Sequence, residues 1–231
     1  MLDVASRRAK GLKIERLLGL TAAGGPYRLL EVGTGAGGIA HYFATHPTLE
    51  CSVDAVDVND NRQVHDGYRF QRVDDVVLPY ADGAFDVVIS NHVIEHVGDR
   101  GQQQRHVREL ARVLAPGGRG YLAVPNRWML VEPHYHLAFL SWLPHRLRSP
   151  YLRSRGRGEH YDCEPLQLGQ LEALLRGAGL EFTNLGAPAV RTLFEIERPA
   201  AALTAVVRRI PDAALWPLRR ITPTLVYGFS R

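Results

Sequence analysis

An α/β fold built on a parallel sheet is what this sequence predicts, from three observations. Strand and helix signals alternate through the first 125 residues, a glycine-rich turn joins the first strand to a helix, and Phe85–Ser90 (FDVVIS) is a continuous apolar run. Alternation of this kind builds a sheet covered by helices, and strands buried on both faces read as unbroken apolar runs.

In order along the chain, residues 3–20 make an amphipathic helix with Leu12, Leu17 and Leu20 among its apolar positions. A Gly-Gly-Pro turn (24–26) precedes a short strand, Tyr27–Val32, and the glycine turn opens a helix through Ile39 to Thr45. Ser52–Val58 reads as a second strand, Arg69–Val73 as a weak third and Phe85–Ser90 as the fourth. A helix over Gln102–Leu114 stops at Pro116-Gly117-Gly118, and Gly120–Val124 is the fifth strand. Residues 126–165 then lose any clean period and carry prolines, two tryptophans and many arginines, which predicts an insertion or lid on a single domain spanning 1–231. Regular structure resumes with a helix at Leu168–Gly177, a strand near Leu180–Leu185, a helix over about Ala200–Arg209 and a closing strand at Thr224–Phe229.

Composition excludes several classes. The chain has 231 residues, 45% of them hydrophobic, enough to bury a substantial core. Cys51 and Cys163 form no disulfide framework or zinc-finger spacing, so a reducing, cytoplasmic setting is expected. No secretory leader is read at the N-terminus, and no run reaches the roughly 20 apolar residues of a membrane span. Residues 50–100 hold eleven acids against four arginines, whereas residues 101–231 hold eighteen arginines against ten acids. The arginines form no tight basic block, so no nucleic-acid partner is expected. Tracts such as Trp142–Arg153 and Trp216–Ile221 mix aromatics, leucines and arginines, as at a membrane surface or on a lid whose arginines snorkel outward. Monomer and homodimer both stay open.

The turn Glu31-Val32-Gly33-Thr34-Gly35-Ala36-Gly37-Gly38 lets the backbone bend sharply and lets a ligand approach a helix N-terminus. It also satisfies the dinucleotide pattern through Gly33, Gly35 and Gly38, which keeps an NAD(P)-dependent oxidoreductase in view. Glu31 argues the other way, because a carboxylate there repels a pyrophosphate and suits an ammonium group. Asp57, at the end of the second strand, can accept from both ribose hydroxyls of either cofactor. Asp74 can accept from an adenine amino group or be a solvated loop acid.

The run Val73–Val88 (VDDVVLPYADGAFDVV) resembles the adenine-loop and fourth-strand signature of class I S-adenosylmethionine-dependent methyltransferases. Ser90–Val97 (SNHVIEHV) resembles that family's post-strand motif, and Arg112–Gly118 (RVLAPGG) its turn into the fifth strand. Each piece is common, but their order is specific. The resemblance implies a three-layer Rossmann-like fold with a seven-stranded, mostly parallel sheet whose last strand is antiparallel. It implies that S-adenosylmethionine packs on Gly33, Gly35 and Gly37, with Glu31 near its amine, Asp57 at its ribose and Val58 among its contacts. Asp74 and Asp75 would frame the adenine, with Asn91 and His92 alongside. The implied reaction is in-line methyl transfer to a small-molecule or lipid-linked acceptor. A catalytically silent binding module is the non-enzymatic alternative, opposed by the intact glycines and Asp57.

Catalysis of this reaction is mostly positioning, with a base needed only if the acceptor must lose a proton. His96 is a candidate base or a packing histidine. The insertion offers Glu132, His134, His136, His160 and Tyr161, of which His134 and His136 are expected to meet the acceptor. Some methyltransferases bind a divalent ion through Glu-x-x-Glu-His at the post-strand position. This chain has His92, Glu95 and His96 there, a partial match, so a metal-assisted reaction is the alternative and no metal is expected.

Overall fold

The structure is a computed structural model that describes residues 4–132 and 134–231. Asp3, the predicted start of the first helix, and Pro133 of the insertion lie outside them. In chain order the elements are α1 (Val4–Leu18), β1 (Tyr27–Val32), α2 (Gly38–Ala44), β2 (Cys51–Asp57), β3 (Arg69–Arg72), β4 (Phe85–Asn91), α3 (Arg100–Val113) and β5 (Leu114–Pro125). The insertion holds β6 (Val131–Glu132), β7 (Leu137–Ala138) and α4 (His145–Ser154). After it come α5 (Leu168–Gly177), β8 (Glu181–Asn184), α6 (Gly186–Glu197), α7 (Ala202–Arg209) and β9 (Thr224–Ser230).

Seven strands form one sheet in the order β3-β2-β1-β4-β5-β9-β8. The first five are parallel, while β9 runs antiparallel to both β5 and β8. The three-layer, mostly parallel fold with an antiparallel last strand is therefore present. Side-chain alternation splits the core in two. Leu30, Val32, Val56, Val88, Leu122 and Tyr227 face the side covered by α3 and α5. Leu29, Val53, Ala55, Ile89, Tyr121 and Val226 face the side covered by α1, α2 and α6. Strand order reverses between β1 and β4, and ligands of open α/β sheets bind outside the carboxyl ends at such a point.

Three elements differ from the sequence prediction. β5 begins at Leu114, which pairs with Phe85, so Pro116-Gly117-Gly118 sits within a strand as an irregularity and not before one. α6 was not predicted, because its opening Gly186-Ala187-Pro188 reads as a turn although its body packs on α1 and β9. α4 forms despite Pro150 within it and Pro144 at its N-cap. Its helix is fixed by tertiary contacts, since Leu152 joins Leu137, Leu140, Tyr161 and Cys163 in a small core of the insertion's own. Among the described residues, no helix is long and apolar enough to cross a membrane.

Both ends of the 126–165 segment are tied to the body. Asn126 is fully buried, and its side-chain amide donates to the carbonyls of Arg220 (2.8 Å) and Thr222 (2.9 Å) while its oxygen accepts from Trp128 N–H (3.0 Å). At the other end Glu164 N–H donates to Glu95 O at 2.8 Å. Replacing Asn126 by Ala strands two carbonyls and one N–H, each of which costs energy when left unpaired. Asn126→Ala should therefore lower the unfolding free energy by about 2–3 kcal/mol in urea titrations. A change within experimental error would show that this anchor is dispensable.

Candidate active site at the carboxyl edge of the sheet

A cavity of about 930 Å³ opens at the carboxyl ends of β1, β2 and β4. Its first wall is the turn after β1. Gly33 has φ 77°, and a Cβ there would lie 2.2 Å from Val93 Cγ2, so only glycine lets the turn and the loop after β4 close together. Beneath the turn, Glu31 is 2% exposed and its Oε2 accepts from Thr34 Oγ1–H (2.7 Å) and Ala40 N–H (2.9 Å). Burial pushes its carboxyl up to about 7, partly countered by those two hydrogen bonds and by Arg7. Glu31 thus supports the turn from below, and neither it nor Gly37 lines the cavity, whereas Gly33 and Gly35 do.

Asp57 caps the second strand on the cavity wall. Its Oδ2 accepts from Gly35 N–H at 2.8 Å, and a carboxylate's two oxygens keep further acceptor capacity for a diol. Val58, Asp74 and Asp75 line the same side. Asp74 is almost wholly exposed, and Asp75 pairs with Arg105 at 3.3 Å. Asn91 and His92 close the floor at the end of β4. His92 takes the left-handed backbone, φ 60°, while its N–H donates to Ala123 O at 2.9 Å.

Some wall residues escaped the sequence reading. Arg7, Lys10 and Lys13 of α1 line the cavity, and burial lowers the pKa of both lysines. Their i, i+3, i+6 spacing puts them on one helix face, a signal the sequence did contain. His106 reaches the cavity from α3, with Nε2 3.0 Å from Ser90 Oγ. Burial pushes His106 down to about 4, so it is neutral at physiological pH.

The stretch His92–Val97 is a turn and not a helix, yet it still gathers its three ionisable groups. His92 Nδ1 lies 3.3 Å and His96 Nε2 4.0 Å from Glu95 Oε1. From the insertion, His134 joins the cavity wall beside His96, its Nδ1 2.6 Å from Oε1 of the buried Glu132. That contact raises the His134 pKa against the opposing effect of burial. His136 sits in the β6–β7 turn outside the cavity lining, with φ 54° and its N–H donated to Glu132 O. His160 lines a separate cavity of about 490 Å³, and Tyr161 is buried in the insertion's core. Cys163, whose thiol is pushed up by burial and by Asp162, approaches His96.

A family profile described as "Methyltransferase domain" matches residues 5–185. The 27-O-demethylrifamycin SV methyltransferase of Amycolatopsis mediterranei is 32% identical over 178 residues, covering 72% of this chain and 58% of that protein. Ajmaline N-methyltransferase of Rauvolfia serpentina is 34% identical over 101 residues, 40% of this chain and 34% of the relative. The chain spans about a third of that relative's length and under two thirds of the rifamycin enzyme's. Among solved structures, the YcgJ protein of Bacillus subtilis superposes with a TM-score of 0.56 at 18% identity, covering 96% of this chain and 98% of that one. Geranyl diphosphate C-methyltransferase of Streptomyces coelicolor gives 0.55 at 16% identity, with 96% and 77% covered. At such identities the structural likeness carries the fold.

The buried Glu31 gives the protein a pH signature. Its folded-state pKa lies above the unfolded value, so its contribution to stability is fully present below about pH 4.5 and is lost as pH rises through about 7. Urea midpoints measured from pH 5 to 8 should fall for the wild type relative to Glu31→Gln, and a pH-independent difference between the two would contradict this account.

Proposed function

The chain belongs to the methyltransferase-domain family, and from that premise we propose that it transfers a methyl group from S-adenosylmethionine to a small-molecule acceptor held beneath the 126–165 segment. One observation carries the reading. A single cavity is lined on one side by Gly33, Gly35, Asp57, Asp74 and Asp75 and on the other by His92, His96 and His134. Its volume suits a nucleoside cofactor together with an acceptor.

The residues present fit the cofactor. The cavity side of Gly35 is open, with no atom within 4 Å of where a Cβ would stand. Arg7 Nε is buried without a hydrogen-bond partner, ready for an anionic group. Asp57 would accept from the ribose hydroxyls, and Asp74 and Asp75 would border the adenine. Arg7, Lys10 and Lys13 would hold the carboxylate of the methionine moiety, with the Glu31-braced turn beside its ammonium. Bound there, S-adenosylmethionine supplies an electrophilic methyl on a sulfonium. The chain's part is to hold the acceptor in line with that methyl and to exclude water.

Acceptor positioning falls to the segment 126–165, read as a lid on a single domain. His134, steadied by Glu132, and His96 form the acceptor side of the wall, while His136 stands away from it. The relatives named above are methyltransferases, which leaves the nicotinamide reading without support. A lipid-linked acceptor is the second reading. It is favoured by the exposed Trp128, Phe139, Trp142 and Leu147 on the lid, where Trp142 stacks edge-on with Trp128 (5.5 Å) and Phe139 (5.2 Å). The unpaired Cys51 and Cys163 suit a cytoplasmic setting.

Calorimetry should show micromolar-range binding of S-adenosylhomocysteine and none of NADH. Asp57→Ala should weaken that binding by about 1.5–3 kcal/mol with the fold intact. NADH binding in place of the thioether nucleoside would overturn the proposal. On the acceptor side, His134→Ala should slow methyl transfer by about ten- to a thousandfold while cofactor affinity stays nearly constant. Normal turnover by that variant would remove His134 from the acceptor wall.

A further inference from the structure

Three side chains from distant parts of the sequence converge where the turn after β4 meets the end of the insertion. The rings of His96 and His134 stand edge to face with centroids 5.4 Å apart. Cys163 reaches them from the core of the insertion, its Sγ 3.8 Å from His96 Nδ1. One ligand atom from each of the three lies within 4.8 Å of the others. Metal–ligand distances of about 2.0–2.3 Å put tetrahedral ligand atoms roughly 3.5 Å apart, so a contraction of about one ångström seats all three on one ion.

The surroundings are those of a cation site. One of the two histidines is held from behind by a buried carboxylate, and the other turns a ring nitrogen to the sulfur. His134 Nδ1 contacts Glu132, and His96 Nε2 lies 4.0 Å from Glu95 while its Nδ1 faces the sulfur. A carboxylate behind the imidazole is the usual way metal-bound histidines are oriented. Glu95 is 0% exposed in its side chain and neither oxygen has a hydrogen-bond partner, although His92 Nδ1 lies 3.3 Å from Oε1. A buried carboxylate in that condition is costly, and nearby positive charge relieves the cost. A third acid, Asp162, lies 3.6 Å from the Cys163 sulfur.

We propose that His96, His134 and Cys163 bind one divalent transition ion of the zinc type, with Glu132 orienting His134 and the buried Glu95 adding negative charge beside the site. Two imidazoles and a thiolate select zinc-like ions over magnesium or calcium, which prefer all-oxygen sites. On binding, the Cys163 thiol gives its proton to solvent and bonds as thiolate. Three protein ligands leave a fourth position open, as in sites that do chemistry. His96 and His134 both line the main cavity, so that position faces it and would take water or an acceptor heteroatom. What the open position faces rests on the acceptor wall proposed above, but binding of the ion does not. The expectation of a metal-free site, drawn from the partial Glu-x-x-Glu-His match, left out Cys163.

The test is titration of the full chain with cobalt(II), without cofactor or acceptor, followed by near-ultraviolet and visible absorption. One equivalent should bind, with tetrahedral d–d bands and a thiolate-to-cobalt charge-transfer band, and zinc should displace it. Cys163→Ser should lose the charge-transfer band and bind cobalt at least tenfold more weakly, and Glu95→Gln should also weaken binding while circular dichroism stays unchanged. Absence of saturable binding by the folded chain, or a charge-transfer band that survives Cys163→Ser, would overturn the site. A chain that binds S-adenosylhomocysteine and methylates an acceptor but takes no cobalt refutes the metal site alone. If cobalt binds as expected and His134→Ala still methylates normally, the acceptor wall fails and the metal site stands.

Discussion

A buried carboxylate ties the first strand to the second helix. Glu31 sits at the end of β1, where parallel neighbours on both sides hold the strand, and reaches forward to the hydroxyl of Thr34 and the N–H of Ala40. The turn between them contains three glycines with positive φ, a conformation with little intrinsic preference for one shape. Glu31 supplies the missing constraint from below, and Val56 O supplies it from the side by accepting from the N–H groups of Gly33 and Thr34. The remaining wall follows from this arrangement. Gly35 N–H is aimed at Asp57, and Gly33 leaves the space that Val93 fills, which brings the turn after β4 up against the turn after β1. Desolvating an acid to hold a loop is costly, and the raised pKa of Glu31 records that cost.

Legibility in the sequence followed the range of the interactions involved. The turn after β1, the buried run of β4 and Asp57 at the end of β2 were readable because strand, turn and cavity-facing position lie within a few residues of one another. The same holds for the sheet, whose apolar runs match the strands closely. Elements whose identity depends on distant partners were not readable. α6 hides behind a Gly-Ala-Pro opening and is fixed by α1 and β9. α4 carries a proline that argues against a helix, and it forms because Leu152 and the fully buried Arg148 face inward, the latter donating to Leu143 O at 3.0 Å and pairing with Glu164. The basic face of α1 was present in the spacing of Arg7, Lys10 and Lys13, but nothing local says that it overlooks β1 and β2.

The two sides of the cavity are built by different means. The side lined by Gly33, Gly35 and Asp57 consists of strand ends and a braced turn, so its geometry is part of the sheet. The side that His134 lines hangs on a segment with its own small core, anchored by Asn126 at one end and by Glu164 against Glu95 at the other. Substitutions inside that segment can reshape the wall without disturbing the parallel strands beneath. A site assembled from rigid scaffold and exchangeable cover is a common solution in open α/β folds, where loops at the carboxyl edge carry the variation.

The two wall histidines differ in how firmly they are oriented. A ring nitrogen engaged by a carboxylate is fixed as a donor, which leaves the opposite nitrogen as the lone-pair face. For His134 that engagement is short and its partner buried, so the free face is the one turned toward the cavity. For His96 the carboxylate is farther away and the sulfur of Cys163 stands at the opposite nitrogen. The contact with Glu132 that orients His134 also raises its pKa, whereas His96 has no carboxylate within hydrogen-bond distance and faces the sulfur.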